Sequence, residues 1–392
     1  VTLDVPAGWA VGVVTGALLL AGALLSASPR GRSRAPVAAL LLCVAASAAS
    51  AALHGADLRR GPVPAAARHY ATVTAEVEVT GDPRLTRPRV RGDRAVPPTV
   101  LIEAEVRRVS GAAGATVTTR TPVLVLVDVG GGDERSATRP ASARWLTLLP
   151  TTRLRVTARL SPPRERGDRI AAVLRVRAGR RPPEVLAEPS AAQRLAGRLR
   201  EGLREATEDL PTDARALLPG LVVGDTARVT PELEEAFKET DLTHTLAVSG
   251  ANFTIVLALL LGPPGLAQRS ERRGLAPRLG LPLRTTALLG GLLASAFVVV
   301  CRPDPSVLRA AACGSVALLA LATGRRRSLL PALATAVLLL VLYDPWLARS
   351  YGFLLSVLAT GALLTLAPRW SAALRRRRVP PRLAEALAAA GA

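Results

Sequence analysis

Residues 242–261, LTHTLAVSGANFTIVLALLL, place polar side chains inside a stretch long enough to cross a bilayer. At 1.5 Å per residue, about 20 residues cover roughly 30 Å of hydrocarbon. Thr245, Ser249 and Asn252 recur at i, i+4 and i+7 and share one helical stripe. His244 stands beside it at the entrance, and Gly250 lets the backbone bend or a neighbouring helix come close. A polar group at that depth needs a partner or a wet cavity. The stripe is either a functional path or hydrogen-bonding glue between helices.

Six further apolar stretches accompany it: Trp9 to Leu25, Pro36 to Leu53, Leu283 to Val300, Ser306 to Thr323, Leu329 to Tyr343 and Tyr351 to Ala367. The joints between them alternate in charge. Arg30, Arg32 and Arg34 fill the first, Arg269 to Arg284 follow the polar span, Arg325 to Arg327 come two joints later, and Arg369 with Arg375 to Arg378 close the series. The joints CRPDPS and YDPWLARS are nearly neutral. By the positive-inside rule the Arg-rich joints are cytoplasmic, which predicts a polytopic α-helical membrane protein of seven spans with residues after about His54 facing outward. A formal charge of +21 is carried almost wholly by arginine, Lys238 being the single lysine, so the charge partly reflects composition and is weak evidence for nucleic acid by itself. The sequence opens on Val1 rather than Met and closes on VPPRLAEALAAAGA, read as the onset of another apolar segment. The expectation is a piece of a longer protein.

Between Tyr70 and Arg181 the pattern changes to period-2 alternation. ATVTAEVEVTG, TVLIEAEVRRVSG, PVLVLVDVGG, TRLRVTARLSPP and IAAVLRVRAGR are β-branched segments bounded by Gly, Pro and Asp. They predict an extracytoplasmic all-β domain, an OB-like barrel ahead of an open sandwich. The insert GDPRLTRPRVRGDRAVPP is expected to be a mobile loop. Such barrels bind single strands by stacking and by basic grooves. The candidate contacts are Tyr70, Arg107, Arg108, Trp145, Arg153 and Arg155, against the reading that the arginines only solvate the surface.

Residues 191–210 form an amphipathic helix with Leu195, Leu199 and Leu203 in line, for the membrane interface or for packing on the barrel. Pro219, Gly220 and Gly224 then break a short apolar run, as in a re-entrant element, and Thr230-Pro231-Glu232 predicts an N-cap. The division expected is a transmembrane hairpin over 1–55, a barrel over 56–188, a connector over 189–240 and a channel region over 241–392. Further polar features recur in the later spans: Ser306, Arg309 and Cys313 at i, i+3 and i+7, and Ser356 and Thr360 at i, i+4. Arg309 is either part of a path or snorkels to the surface. Cys43, Cys301 and Cys313 read as small hydrophobes, with no metal or disulfide framework.

GLVVG at 220–224, Phe237, LTHTLAVSGANF, PSVLRA at 305–310, Asp344-Pro345 and GFLLSVLATG resemble, in order and spacing, the competence region of ComEC-type DNA internalisation channels. The two-span hairpin and outward barrel are similar as well. The resemblance implies passage of one DNA strand across the cytoplasmic membrane in natural transformation. It singles out Gly220, Gly224, His244, Ser249, Gly250, Ser306, Arg309 and Ser356, with Thr245, Asn252 and Thr360 added by their place on the same stripes. The family pattern has a second His where Asn252 stands and a Leu where Ala251 stands. Its implied partners are single-stranded DNA and membrane lipid, with a DNA receptor, a cytoplasmic helicase or motor and a nuclease, motor and nuclease coming from other chains or from a further C-terminal part, and an oligomer is open. Larger members add a metallo-β-lactamase-like domain. With His only at 54, 69 and 244, none is expected within these residues.

No cofactor is expected. The one lysine lies outside any GxxxxGK[ST] loop, and HExxH and G-x-S-x-G are missing, so an enzyme is not the expectation. Ser249 with His244 imitates a nucleophile and base but lacks an orienting third group. The competing class is a small-molecule or lipid transporter with an extracytoplasmic sensor domain, against which stands the lack of an inverted repeat.

Overall fold

The computed structural model describes residues 7–26, 34–86, 89–91, 94–96, 99–110, 116–128, 143–165, 167–177, 183–240, 242, 250–261, 275–322 and 329–391. The chain divides into two units, Val1–Glu201 and Gly202–Ala392.

The first unit opens with a helical hairpin, α1 (Ala7–Ser26) and α2 (Arg34–Arg59). Its buried positions are small, Ala21 on α1 and Ala38, Ala45, Ala48 and Ala51 on α2, whereas Leu19, Leu40 and Leu53 are exposed. That is the arrangement of helices that approach closely through small residues and leave leucine to an apolar solvent. The short α3 (Pro62–Arg68) follows, starting with Pro just inside the helix where its missing N–H costs nothing.

The strands are β1 (Thr72–Val79), β2 (Arg84–Leu85), β3 (Arg89–Arg91), β4 (Arg94–Val96), β5 (Thr99–Ser110), β6 (Thr116–Asp128), β7 (Arg153–Ser161), β8 (Ala172–Arg177) and β9 (Glu184–Ala187). Five of them close a ring: β1-β5-β6-β8-β7, with β7 pairing back to β1. All these pairs are antiparallel except β6 with β8. Closure leaves no free edge within the ring. The alternation read in the sequence sets the facing. Val73, Ala75, Val77 and Val79 point inward from β1, and Ile102, Val125, Leu154 and Leu174 are among the most deeply buried side chains of the other four. Val63 and Ala67 of α3 join the same core.

Trp145, expected as a base-stacking platform, belongs to this core instead. It is 5% exposed, on a helical turn at 143–146, and no base can reach its ring. Tyr70 is exposed, in the left-handed region at φ 51° just before β1. The insert expected to be a mobile loop contains β2, which adds to β5, and a β3–β4 ribbon pairing Arg89 with Val96. Its β-branched valines and alternating arginines satisfy a two-stranded pattern that the prolines mask.

In β5 a bulge at Arg107 interrupts the register, so that Glu76 faces Arg108 and Val77 faces Val106. Successive residues of a strand normally point to opposite faces; the extra residue lets both Arg107 and Arg108 point outward. Both meet the outward glutamates of β1. Arg107 Nε and Arg153 Nε donate to Glu78 Oε2 at 3.0 and 3.1 Å. Arg107 Nη2 also reaches Glu105 at 3.0 Å. Arg108 and Arg155 each lie 3.5 Å from Glu76, and Arg155 Nη1 donates to Glu184 at 2.7 Å. The four arginines named as DNA contacts are thus already compensated by carboxylates.

α4 (Ala191–Ala206) buries Ala196 and Arg200, the latter paired with Asp82 at 3.2 Å, and brings Gly197 against Leu149. Leu195 and Leu199 of its stripe face outward instead. Packing on the barrel through those leucines does not occur.

In the second unit the helices are α5 (Thr212–Val223), α6 (Pro231–Glu239), α7 (Gly250–Leu261), α8 (Leu275–Arg278), α9 (Leu283–Cys301), α10 (Pro305–Ala322), α11 (Leu329–Tyr343), α12 (Tyr351–Arg376) and α13 (Pro381–Gly391). The predicted N-cap is present: Thr230 Oγ1 accepts from Leu233 N at 3.3 Å and opens α6. Three helices among the described residues are long and apolar enough to cross a membrane: Val37–Arg59, Leu283–Cys301 and Tyr351–Arg376. Gly12–Ala21, Asn252–Leu261, Pro305–Leu319 and Leu330–Tyr343 are shorter apolar helices. Each of these lies in or overlaps one of the seven expected stretches, and of the expected 242–261 span the described helix is Gly250–Leu261.

Burial by itself would raise the Glu78 carboxyl, but the hydrogen bonds and charges of Arg107 and Arg153 outweigh it and hold the group below its ordinary value of 4.5. A carboxylate lowered on folding stabilises the fold above its unfolded pKa, and the contribution is lost as pH falls through the folded one. Glu78→Gln is therefore expected to lower the melting temperature at neutral pH, the gap from the natural chain narrowing as pH falls below about 4.5. Melting of the detergent-solubilised chain over a pH series tests this, and a gap independent of pH would refute the assignment.

Candidate functional site

The site is built from helix ends and from one buried cation. α5 carries Pro219 in its interior and stops at Gly224, whose φ of 73° and ψ of 21° lie in the left-handed region. Gly224 N donates to Gly220 O at 2.9 Å, the closing bond of an αL cap, and Asp225 N reaches back to Pro219 O at 3.1 Å. Gly224 is needed for its backbone. Gly220 is not needed for space, since a Cβ there would make ordinary contacts of 3.7 Å with Asp225 O and Thr226 Cγ2.

The last carbonyls of a helix lack intrahelical donors. Asn252 supplies one from outside: its Nδ2 donates to Leu221 O at 2.7 Å, with Val222 O at 3.5 Å. The amide named as path lining thus ties α7 to the end of α5. Just beyond that end, Asp225 is buried and receives Arg204 Nε at 2.7 Å and Nη2 at 2.6 Å, while its other oxygen accepts from Ala227 N at 3.2 Å. Arg228 Nη1 donates to Glu208 Oε2 at 2.7 Å and to Arg204 O at 3.2 Å. Sequence reasoning misses this clamp. Its signal is the GDT turn, where an Asp follows the glycine that ends a helix.

α7 then packs against α9 and α10. Phe253 and Phe297 set their rings 5.3 Å apart at 47°, and Phe253, Ala294 and Ala310 are buried together with Leu257 at their side. Gly314 permits the closest approach. A Cβ there would fall 2.3 Å from Phe253 Cε1 and 2.8 Å from Cζ. Gly290 of α9 plays the same part for Leu318 of α10, where a Cβ would lie 2.7 Å from Cδ2.

On the other side of α10, Arg309 is 8% exposed. Its Nε donates to Ser356 Oγ at 2.7 Å and its Nη1 to Thr360 Oγ1 at 3.0 Å, both on α12. Thr360 Oγ1 in turn donates to Ser356 O at 2.8 Å. Cys313, one turn further along α10, also faces the guanidinium. Three residues named separately from the sequence therefore form one constellation, and Arg309 turns inward rather than snorkelling. Among the described residues no carboxylate pairs with it. Leu308, Ala312, Val337, Val341 and Val357 pack with Leu340, Leu347 and Phe353 beside it. Asp344 and Ser350 cap the turn Pro345–Arg349 and α12 by accepting from Trp346 N at 3.2 Å and Phe353 N at 3.3 Å.

Ser306 stands in the first turn of α10 and Gly250 begins α7. His244, Thr245 and Ser249 lie outside the described residues. The structure brings Arg309 together with the hydroxyls of Ser356 and Thr360, while the Asn252 amide is held apart from them at the end of α5. That chemistry suits weak, reversible contact with an anion or with hydrogen-bonding groups.

Residues 221–392 match the competence-protein family model, which takes in α7 to α13, Asn252 and the Arg309 constellation. The stretch of the second unit from residue 221 onward is therefore similar to the competence-protein family. A curated relative, "ComE operon protein 3" of Bacillus subtilis (strain 168), is 28% identical over 155 residues. That match covers 40% of this chain and 18% of the relative, so the matched part spans less than a fifth of the relative's length. No solved structure matches.

Two stability outcomes follow. Gly314→Ala is expected to destabilise the bundle by about 1–3 kcal/mol through overpacking, and Phe253→Leu, which removes the opposing ring atoms, should recover part of the loss. Additive effects in denaturant titrations would refute the contact. Arg309→Ala and Ser356→Ala should couple by roughly 0.6–1.7 kcal/mol in a double-mutant cycle, the range found for hydrogen bonds between membrane helices.

Proposed function

We propose that this chain is a channel component that passes single-stranded DNA across the cytoplasmic membrane during natural transformation. The observation that carries the reading is the Arg309, Ser356 and Thr360 constellation, buried at a helix seam inside a domain that matches the competence family. A permeating polyanion needs a path that attracts phosphates without holding them. One guanidinium with neutral hydroxyl partners meets that need better than a row of charges. Thr245, Ser249 and Asn252 would continue the path as neutral hydrogen-bonding groups, with His244 at its mouth.

In this reading the barrel is an OB-like module facing outward. The closed five-stranded ring, with one parallel pair between β6 and β8, supports that assignment. The Arg-rich joints face the cytoplasm. The chain acts as a conduit without catalysis or cofactor, a DNA receptor, a motor and a nuclease coming from partner chains.

The test is uptake of labelled DNA into a nuclease-protected form by cells lacking the gene and complemented with variants. The natural sequence is expected to restore protection, and Arg309→Ala and Ser249→Leu to abolish it at unchanged protein level. Unaltered protection after deletion would end the channel reading. Full restoration by both variants would leave the seam as helix glue and move the path elsewhere.

A further inference from the structure

Outward arginines on β5, β7 and β8 fall into two groups. Arg107, Arg108, Arg153 and Arg155 each have a glutamate within ion-pair distance. Arg159 on β7 and Arg175 and Arg177 on β8 are exposed and, among the described residues, pair with no carboxylate. The register brings two of them face to face. Arg159 stands directly opposite Arg175 in the β7–β8 pair. Their other cross-strand neighbours give no relief, being Thr72 on β1 and Leu126 on β6. Asp128 neighbours Arg177 in the β6–β8 register but stays outside ion-pair distance, with Thr99 Oγ1 3.5 Å from its Oδ1.

Like charges directly opposite in a sheet destabilise it. The same barrel sets glutamates beside Arg107, Arg108, Arg153 and Arg155, so the uncompensated facing pair points to a ligand that supplies the missing negative charge. We propose that the β7–β8 face is the barrel's phosphate-contacting surface, with Arg159, Arg175 and Arg177 engaging the backbone of single-stranded DNA; this rests on the DNA-uptake reading above. Alternate residues of a strand lie about 6.6 Å apart, on the scale of successive phosphates in a stretched single strand. No large apolar side chain is exposed on β7 or β8, so the face lacks what a basic surface uses to enter a bilayer. With no aromatic residue on either strand, binding runs through phosphate alone and is blind to base sequence.

The full chain in nanodiscs of zwitterionic lipid, titrated with labelled oligothymidylate over a salt series, tests this. Arg159→Gln with Arg175→Gln is expected to weaken binding about tenfold at low salt and to flatten the log–log salt slope by about 1.4, at roughly 0.7 for each single-strand phosphate that is no longer neutralised. The melting temperature should hold or rise, because a repulsion has been removed. Arg84→Gln, which removes an arginine exposed beside Glu103, should bind as the natural chain does. An unchanged slope in the double variant overturns the proposal, as does a fall in its melting temperature, which would make the pair structural. Loss of binding to anionic vesicles with an unaltered oligonucleotide slope would assign the face to lipid and overturn it equally. If the natural chain binds no oligonucleotide, the face is misassigned, whereas the uptake reading still answers to the protected-DNA assay.

Discussion

In a bundle whose outward positions are leucine, a polar group persists only where it finds a partner within the protein. The second unit is arranged around that constraint. α5 ends early at Gly224, and its freed carbonyls are met by the N–H groups of Gly224 and Asp225 and by the Asn252 amide. Asp225 is buried because Arg204 reaches it with two nitrogens. Asp344 and Ser350 are committed to caps. Among the described buried side-chain atoms, Ser371 Oγ alone has no hydrogen-bond partner. Arg309 obeys the rule differently, since hydroxyls satisfy its geometry and leave its charge uncompensated. Neutral partners offset less of a cation's desolvation than a carboxylate would, and that residue of unmet charge is what an anion could use.

One hydroxyl of the seam also bonds within α12. If an anion takes the guanidinium, Thr360 keeps its bond to Ser356 O, so α12 is not left with an orphaned hydroxyl proton. Tight packing lies elsewhere, at Gly314 against Phe253 and Gly290 against Leu318, where no gap exists for even one methyl group. The closest contacts therefore lie in the α7, α9 and α10 group, and the seam between α10 and α12 combines hydroxyls with the apolar packing of Leu308, Ala312, Phe353 and Val357.

Much of this is legible in the sequence. Period-2 alternation of valine marks the five ring strands, and TPE at 230–232 marks a real cap. Arg309, Ser356 and Thr360 are each singled out by helical spacing, yet that they meet one another is not visible, because spacing along one helix says nothing about which helix faces it. Trp145 is misplaced for a related reason: the segment ARWLTLL around it is too short and irregular to assign its ring inward or outward. The prolines of the insert after β1 suggest a loop, although its valines and arginines alternate in a way that suits the β3–β4 ribbon. The bulge at Arg107 cannot be foreseen, since the sequence RR offers no sign that both side chains will leave by the same face.

Arginine is so frequent here that its presence at any one position carries little information, and its partners must be read instead. Where arginine meets glutamate, as around Glu76 and Glu78, charge is cancelled and the side chains stiffen the junction of β1, β5 and β7. Where it meets hydroxyls, as at Arg309, geometry is satisfied and charge remains. Where it meets another arginine, as at Arg159 and Arg175, neither is satisfied within the barrel. A composition bias alone would scatter arginines without regard to their partners. On β7 itself Arg153 and Arg155 meet glutamates while Arg159 faces Arg175, so what each arginine does follows from its cross-strand neighbours and not from composition.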